Sequence, residues 1–384
     1  MDGISSMRPI IISWFLFVFI LISREAEGKD LSDLISPQPE AQTTEEPAID
    51  LSHAGTWGAF RSLANARKGD NMEGITELKR YFLSFGYLNS EAIDNNTTDF
   101  YDDRLESAVK LYQRAFALPV TGNLDNGTLS QIMAPRCGVE DIINGTSTMI
   151  SGHNRSLDVQ HYSFFSGRPI WPLRKRTLTY AFSPVDRAPD MNETGLKTAF
   201  SRAFNRWAEV IPLKFKATED YLSADIKIAF FSGNHGDGKP FDGPLGTLAH
   251  GFSPQDGKLH LDAAERWSLN LKEDKSKAGR TDIDVESIAT HEIGHILGLG
   301  HSSIKGAVMY PTIRPRTRKV ILLQDDVDGA QALYGANPSF DPSLTSFDPQ
   351  DQDTENGVAA QNCFTGFSFI VILWFLSWEF ILWL

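Results

Sequence analysis

The densest cluster of reactive side chains is the stretch HEIGHILGLGH, which begins at His291. His291 and His295 are four residues apart, so on a helix their imidazoles lie on one face and can bind one metal ion. Gly298 can adopt left-handed backbone geometry and end that helix, and Gly300 is expected to ease the turn that follows. His301 then returns as the third ligand. Three ligands leave one position for water, as in catalytic zinc sites.

Glu292 follows the first histidine and is not expected to bind the metal. Its carboxylate can act as the general base for a zinc-bound water, whose pKa the metal lowers towards about 7. The activated water would hydrolyse a peptide bond, and Glu292 would pass the proton to the leaving amine. Two alternatives stay open here: a chance match on a core helix, and a purely structural zinc. A wall-binding protein with a structural zinc would tolerate Glu292→Ala.

The cysteine content points to the same metal. The chain has two cysteines, and Cys363 lies in an apolar C-terminal tail that we expect to be removed. Cys137 would then lack a disulfide partner in an oxidising compartment. Thiolate is a strong zinc ligand, at about 2.3 Å. A cysteine placed over the open zinc position would displace the water and block Glu292. The alternative is an unpaired buried thiol.

These motifs resemble those of the matrixins, the matrix metalloproteinases of the metzincin clan. HEIGHILGLGH followed by Met309 in AVMYP matches the metzincin pattern with its Met-turn, and PRCGVED resembles the cysteine switch. The resemblance implies a latent zymogen in which Cys137 binds the zinc, while Arg136 and Asp141 brace the switch. It also implies that Met309 lies in a tight turn beneath the zinc. The chain most resembles the plant matrixins, which lack a hemopexin domain.

The resemblance also implies how a substrate would bind. An extended extracellular protein or peptide would pair with an edge strand near Leu248 and Ala249, and the loop 311–319 would wall a pocket for an apolar side chain. An activating protease would cut the propeptide within about 141–162. The motif LRKR, which ends at Arg176, resembles a convertase site but borders a predicted strand.

A second cluster lies in the loop-rich stretch before the helix of the first motif. Its three imidazoles and one carboxylate would complete a closed tetrahedral site for a structural zinc: His235, Asp237, His250 and His260. Scattered surface histidines are the alternative. The resemblance implies calcium ligands among the side-chain and backbone oxygens of Asp242, Gly243, Leu245, Thr247, Asp262 and Glu265. Asp225 is a candidate for a second calcium, although Lys258 stands where many relatives have an acidic ligand.

The elements that must position these residues follow from hydrophobic spacing. From about Leu63 to Met133 apolar residues recur at helical intervals, which predicts a small three-helix bundle that resembles a peptidoglycan-binding-like module. Farther on, TLTYAF and ADIKIAFF are typical of strands, whereas TGLKTAFSRAFNRWAEV, VESIATHEIGHILGL and QDDVDGAQALYG predict helices. The predicted fold is an α+β metzincin catalytic domain, a twisted mixed sheet with three helices, preceded by a small all-α three-helix prodomain.

Composition and termini predict the arrangement along the chain. We expect a signal peptide at 1–28, a propeptide at 29–158 with its helical domain at about 60–135 and its switch at 135–141, a catalytic domain at 159–336, a polar stalk at 337–356, and a glycosylphosphatidylinositol-attachment signal at 357–384 that is removed in the mature form. The lipid anchor would be attached at Asn356 or Gly357, at the outer leaflet of the plasma membrane. A retained spanning helix is the alternative.

The charge and the glycosylation signals agree with a secreted protein. The net charge of −13 gives no electrostatic footprint for nucleic acid. Six sequons are compatible with secretion: Asn95, Asn96, Asn126, Asn144, Asn154 and Asn192. The expected partners are therefore protein substrates, an activating protease and, through the anchor, a membrane.

Overall fold

The computed structural model describes residues 56–89, 98–149, 161–273 and 281–342. All of them fall in one compact unit, 50–384. The predicted signal peptide, the anchor signal and most of the stalk lie outside these residues. Within the described part of the chain, no helix has the length and apolarity needed to cross a membrane.

The first part of the described chain is the predicted helical bundle. It consists of a 3-10 helix at Thr56–Leu63 and of the helices α1 (Ile75–Ser84), α2 (Asp103–Ala115) and α3 (Asn126–Ile132). The face predicted for α1 is buried in the bundle core, since Leu78, Tyr81, Phe82 and Phe85 are all at most 5% exposed. The three predicted helices are thus confirmed.

Aspartates fix where α2 and α3 begin. The side chain of Asp102 accepts a hydrogen bond from Leu105 N at 2.8 Å, and that of Asp125 accepts one from Thr128 N at 2.9 Å. Each cap satisfies a backbone donor that has no partner within its own helix. The sequence thereby sets the helix register, and with it the position of the switch segment after α3.

The second part is a six-stranded mixed sheet. Its strands, in chain order, are β1 (Arg136–Cys137), β4 (Thr177–Phe182), β5 (Lys214–Ala217), β6 (Ile226–Phe231), β7 (Thr247–Gly251) and β8 (Lys258–Asp262). Two short pairs lie outside it: β2 (Ile142–Ile143) with β3 (Thr146–Ser147), and β9 (Trp267–Ser268) with β10 (Ile283–Asp284). The order in the sheet is β1-β7-β8-β6-β4-β5, and only β7 and β8 pair antiparallel.

Three helices accompany this sheet, as predicted. They are α4 (Glu193–Val210), α5 (Val285–Ile296) and α6 (Gln324–Tyr334). The predicted inward face of α4 is buried: Leu196, Ala199, Phe200, Ala203 and Trp207. Trp207 also donates its indole N–H to the backbone oxygen of Thr290 at 2.9 Å, which fixes α5 against α4. The helix that carries the first two histidines is therefore held rigidly in the core.

Candidate metal centre and active site

The helix α5 begins at a cap and ends where the glycine pattern predicts. Asp284 accepts hydrogen bonds from Ser287 N at 2.8 Å and from Ser287 Oγ at 2.6 Å, which fixes the first turn. Gly298 has φ +102°, as its predicted role in ending the helix requires. A Cβ there would overlap with the carbonyl oxygen of Pro169. The chain can therefore turn back only with glycine at this position.

The prediction for Gly300 needs correction. Its φ is not in the left-handed region, so the turn itself does not require glycine. A Cβ at Gly300 would instead overlap with Ser163 Oγ and lie 3.0 Å from the backbone oxygen of Thr148. Glycine is needed because segments distant in sequence pass directly over this position.

The three motif histidines converge in the interior. Nδ1 of His291 lies 2.6 Å from the backbone oxygen of Val308, and Nδ1 of His295 lies 2.8 Å from the backbone oxygen of Leu299. Nδ1 of His301 lies 3.0 Å from Asp141 Oδ1. Each of these partners only accepts, so each Nδ1 must donate, and the Nε2 atoms carry lone pairs.

Those lone pairs face one another. Nε2 of His291 and Nε2 of His295 are 3.1 Å apart, and neither carries a proton in this arrangement. Nε2 of His301 is buried and has no hydrogen-bond partner among the described residues. Burial and the neighbouring imidazoles also lower the pKa of His291 well below its usual value. Neutral imidazoles whose lone pairs point at a common centre are the ligand set that zinc prefers.

Cys137 completes this set. Its Sγ lies 3.3 Å from His295 Nε2, and the four ligand atoms lie within 4.8 Å of one another. A tetrahedral zinc with bonds of about 2.0–2.1 Å to nitrogen and about 2.3 Å to sulfur needs ligand separations of about 3.3–3.6 Å. The distances fit such an ion. The sulfur stands where a catalytic zinc would otherwise bind water.

A strand that the sequence did not predict holds the cysteine in place. In β1, Arg136 N donates to the oxygen of Gly246 at 3.0 Å, and Cys137 N donates to the oxygen of Pro311 at 2.9 Å. Gly138 N donates to the oxygen of Ala249 at 2.8 Å. The segment thus pairs with the edge of β7 near Ala249, where we expected a substrate to lie. Nothing in the apolar pattern of so short a segment indicates this pairing.

Arg136 and Asp141, which the resemblance implied would brace the switch segment, form a buried ion pair. The guanidinium lies 2.7 Å from Asp141 Oδ1 and 3.6 Å from the centre of the Phe85 ring. Tyr87 donates its hydroxyl to Asp141 Oδ2 at 2.9 Å. Burial by itself would raise the pKa of Asp141. Arg136 and His301 together lower it by more, so the pKa lies below its usual value. The aromatic partners from the helical bundle, and the contact with His301, were not anticipated from the sequence.

Glu292 lies next to the sulfur. Its side chain is 1% exposed, and Oε2 has no hydrogen-bond partner among the described residues. Burial raises its pKa to about 8, against hydrogen bonds from the thiol of Cys137 and from Gly251 N. Burial and the Glu292 carboxylate likewise raise the pKa of Cys137 well above its usual value. A thiolate at this position therefore needs a cation beside it.

Met309 packs against α5 at Gly294, and its role beneath a zinc ion stays a prediction. It is 1% exposed, and a Cβ at Gly294 would overlap with its sulfur. The buried carboxylate of Asp326, in the first turn of α6, accepts hydrogen bonds from Met309 N at 3.0 Å and from Val308 N at 2.9 Å. Val308 in turn accepts the Nδ1 proton of His291. Neither Gly294 nor Asp326 was identified from the sequence, because each acts through a residue remote along the chain.

The second histidine cluster also assembles. Asp237 Oδ2 lies 2.7 Å from His235 Nε2, 2.8 Å from His250 Nε2 and 2.9 Å from His260 Nδ1. Burial lowers the pKa of His250 to about 3, so its imidazole is neutral. The four side chains can hold one zinc ion in a closed shell, and the alternative of scattered histidines is wrong.

The predicted calcium ligands lie together as well. Each carboxylate accepts a hydrogen bond from a backbone N–H of the neighbouring loop. Glu265 accepts one from Leu245 at 2.7 Å, Asp242 one from Thr247 at 2.8 Å, and Asp262 one from Gly243 at 3.2 Å. Burial raises the pKa of Glu265 to about 8 and that of Asp242 to about 6, and in both cases the charge of Asp262 adds to the rise. Buried carboxylates that repel one another suit a hard divalent cation.

Asp225 is engaged differently from the expectation. Its Oδ2 accepts hydrogen bonds from Thr179 N at 2.8 Å and from Thr179 Oγ1 at 2.9 Å, and its Oδ1 pairs with the ammonium of Lys175. A second calcium at Asp225 therefore stays a prediction, and the lysine charge counts against it.

A pocket lies beside His291 and Glu292, where the loop 311–319 was expected to form a wall. The side chains that line it include Leu248, Ile288, Val308, Tyr310, Ile313 and Lys319. The ammonium of Lys319 donates a hydrogen bond to the backbone oxygen of Ala307 at 3.0 Å. Burial lowers the pKa of Lys319 to about 8. Lys319 ends the loop that was predicted to wall the pocket, and its contact with Ala307 was not predicted, because the two residues lie in separate segments.

The remaining predicted sites divide between described and undescribed residues. Asn126, Asn144 and Asn192 are exposed, and Asn192 also caps α4 by accepting Gly195 N at 2.8 Å. Three sequons, Asn95, Asn96 and Asn154, and both anchor candidates, Asn356 and Gly357, lie outside the described residues. The motif LRKR borders the strand β4, as expected, and the backbone oxygen of Arg176 accepts a hydrogen bond from Lys214 N at 2.9 Å.

Comparisons with known proteins agree with this geometry. Residues 170–335 match the family described as Matrixin, and residues 71–132 match the putative peptidoglycan binding domain. Metalloendoproteinase 5-MMP of Arabidopsis thaliana is 44% identical over 91% of this chain and 92% of its own. Metalloendoproteinase 1 of Glycine max is 48% identical over 70% and 85%, and human Matrilysin is 38% identical over 67% and 83%. The chain belongs to the matrixin family of zinc metalloendopeptidases.

Proposed function

We propose that the chain is made as a latent precursor in which Cys137 closes the catalytic zinc site. The observation that carries this proposal is the position of its sulfur, 3.3 Å from His295 Nε2 and on the open side of three imidazoles. The ion pair of Arg136 with Asp141 and the backbone bonds of β1 keep it there. Latency follows because a substrate can reach neither the metal nor the β7 edge while β1 is docked.

In the active form, His291, His295 and His301 hold the catalytic zinc. Zinc bound there supplies a Lewis acid that polarises a peptide carbonyl and brings the pKa of water to about 7. Glu292 takes the proton from the attacking water and delivers it to the leaving amine. Its buried Oε2 suits this role, because that oxygen has no hydrogen-bond partner among the described residues and can accept a proton from the incoming water.

The cleft left by β1 is where we place the substrate. The groups that now bond to β1, the oxygens of Gly246 and Ala249 on one side and of Pro311 on the other, would bond to the backbone of an extended peptide. The pocket between Leu248 and the loop 311–319 would take an apolar side chain next to the scissile bond. The substrates we propose are extracellular proteins or peptides.

Two further metal sites stabilise the catalytic domain in this proposal. The side chains of His235, Asp237, His250 and His260 bind a structural zinc, since together they leave no position open for chemistry. A calcium ion lies near Asp242, Asp262 and Glu265, with carbonyl oxygens of Gly243, Leu245 and Thr247 as further ligands. The cation would offset the burial, and the smaller repulsion from Asp262, that raise the pKa values of Asp242 and Glu265.

The cellular setting is proposed from the sequence of the termini. A signal peptide at 1–28 directs secretion, another protease removes the propeptide within about 141–162, and a lipid anchor at Asn356 or Gly357 holds the enzyme at the cell surface. Release from intact cells by phosphatidylinositol-specific phospholipase tests the anchor.

The turnover rate of the Glu292→Gln variant tests the role of Glu292 as general base. The propeptide of the full chain is removed by limited proteolysis, and hydrolysis of a quenched peptide is measured. Loss of a general base lowers the rate by about 10²–10⁴-fold, while the zinc content stays that of the parent. Glu209→Gln, an exposed change on α4, is the matched control and should keep full activity. Full activity of the Glu292→Gln enzyme would exclude Glu292 as the general base, and absence of hydrolysis by the matured parent would favour a wall-binding protein whose zinc is only structural.

A further inference from the structure

The three candidate zinc ligands differ in where their second nitrogen finds its partner. The Nδ1 partners of His291 and His295 are the oxygens of Val308 and Leu299, both within the catalytic domain. Nδ1 of His301 lies instead 3.0 Å from Oδ1 of Asp141, in the switch segment that activation would remove. The propeptide therefore reaches the metal site twice: once through Cys137 and once behind His301.

The contact between Asp141 and His301 is sealed from solvent. The side chain of His301 is 0% exposed and that of Asp141 is 1% exposed. Asp141 Oδ1 is also 2.7 Å from Arg136 Nη2, which keeps the carboxyl ionised. An ionised carboxylate only accepts hydrogen bonds, so Nδ1 of His301 carries the proton. Its Nε2, buried and without a hydrogen-bond partner among the described residues, then presents a lone pair to the metal.

We propose that Asp141 is a positioning residue for the third zinc ligand, and that it holds the metal more tightly in the zymogen than in the matured enzyme. A carboxylate behind a coordinating imidazole fixes the ring and makes the nitrogen on the metal more basic. Removal of the propeptide takes this carboxylate away from His301 only. The inference rests on the proposed function for the identity of the metal as zinc, but not on turnover.

Zinc affinity of the uncleaved full-length zymogen tests the proposal. The dissociation constant is measured by competition with a chromophoric chelator. Asp141→Ala removes the acceptor and should weaken zinc binding by about 10–100-fold, the usual effect of losing such a partner. Asp141→Asn keeps the shape but loses the charge, and should fall between the parent and Asp141→Ala. Tyr87→Phe removes a different hydrogen bond to the same carboxylate, 2.9 Å at Oδ2, and should change affinity by no more than about 2-fold.

A second pair of variants separates His301 from the thiolate, because Asp141 also supports Cys137 through Arg136. Zinc affinity is compared for Cys137→Ala and for Cys137→Ala/Asp141→Ala. If Asp141 acts through His301, the added substitution still weakens binding by about 10-fold or more. Equal affinities of the two variants would overturn the proposal. Both readouts are metal affinities, so they remain decisive even if the matured chain proves to have no peptidase activity.

Discussion

Replacing the Cys137 thiol should restore only part of the peptidase activity of the uncleaved zymogen. In Cys137→Ser the ligand is lost, but β1 keeps its backbone bonds to the cleft. Four of these bonds are Arg136 N to Gly246 O, Cys137 N to Pro311 O, Gly138 N to Ala249 O, and Ile313 N to Pro135 O, at 2.8–3.0 Å. At about 0.5–1.5 kcal/mol net for each bond, they favour the docked segment by about 2–6 kcal/mol. The uncleaved variant should therefore work about 30-fold to about 10⁴-fold more slowly than the matured enzyme.

A second substitution should release the segment. A Cβ at Gly138 would lie 2.6 Å from Thr247 Cγ2 and 3.3 Å from the oxygen of Ala249. Overpacking of this kind costs about 1–3 kcal/mol, so Cys137→Ser/Gly138→Ala should be about 5-fold to about 100-fold more active than Cys137→Ser. The matched control is Cys137→Ser/Gly127→Ala, since a Cβ at Gly127 meets only Asp125 Oδ1, at 3.5 Å.

The assay is hydrolysis of a quenched peptide by full-length protein, with gel analysis to show that the propeptide is uncleaved throughout. Two results would refute the reasoning. If uncleaved Cys137→Ser were as active as the matured enzyme, the backbone contacts of β1 would not obstruct the cleft. If Gly138→Ala added nothing, those contacts would not be what keeps the segment in place.

Three further predictions concern the surroundings of the site. Gly300→Ala should lower the free energy of unfolding by about 1–3 kcal/mol in chemical denaturation, because its Cβ would overlap with Ser163 Oγ. Burial raises the pKa of Asp326 to about 6 from 3.8, so its contribution to stability is fully present below about pH 3.8 and is lost as the pH rises through about 6. Asp326→Asn should therefore flatten the pH dependence of the melting temperature between about pH 4 and 6. Asp237→Asn should lower the melting temperature by roughly 10 °C at saturating zinc, since a ligand at about a thousand times its Kd contributes about 4 kcal/mol.

Each of these has an outcome that would count against it. An unfolding free energy for Gly300→Ala equal to that of the parent would show that Ser163 moves aside freely. An equally steep acid profile in Asp326→Asn would assign the titration to other carboxyls. Identical melting curves of Asp237→Asn and the parent, with and without zinc, would leave the second cluster without a metal.

Much of the fold followed from spacing along the chain. Apolar residues at helical intervals predicted the helices that became α1, α2 and α4, because a helix in a small domain must bury one continuous face. Asp102 and Asp125 fix helix starts by a purely local bond. The pairing of β1 with β7 could not be predicted, since two residues carry no alternating pattern and their partner lies more than a hundred positions away.

The candidate site shows the same division. The sequence by itself determined which side chains can meet a metal: His291 and His295 share a face because a helix repeats every 3.6 residues, and Gly298 allows the return of His301. Only the tertiary structure decided what surrounds them. That Asp141 stands behind His301, and that Gly300 is needed for a close approach, depends on segments brought together by packing. Local geometry is encoded in neighbouring residues, whereas contacts between distant segments exist only once the whole core has formed.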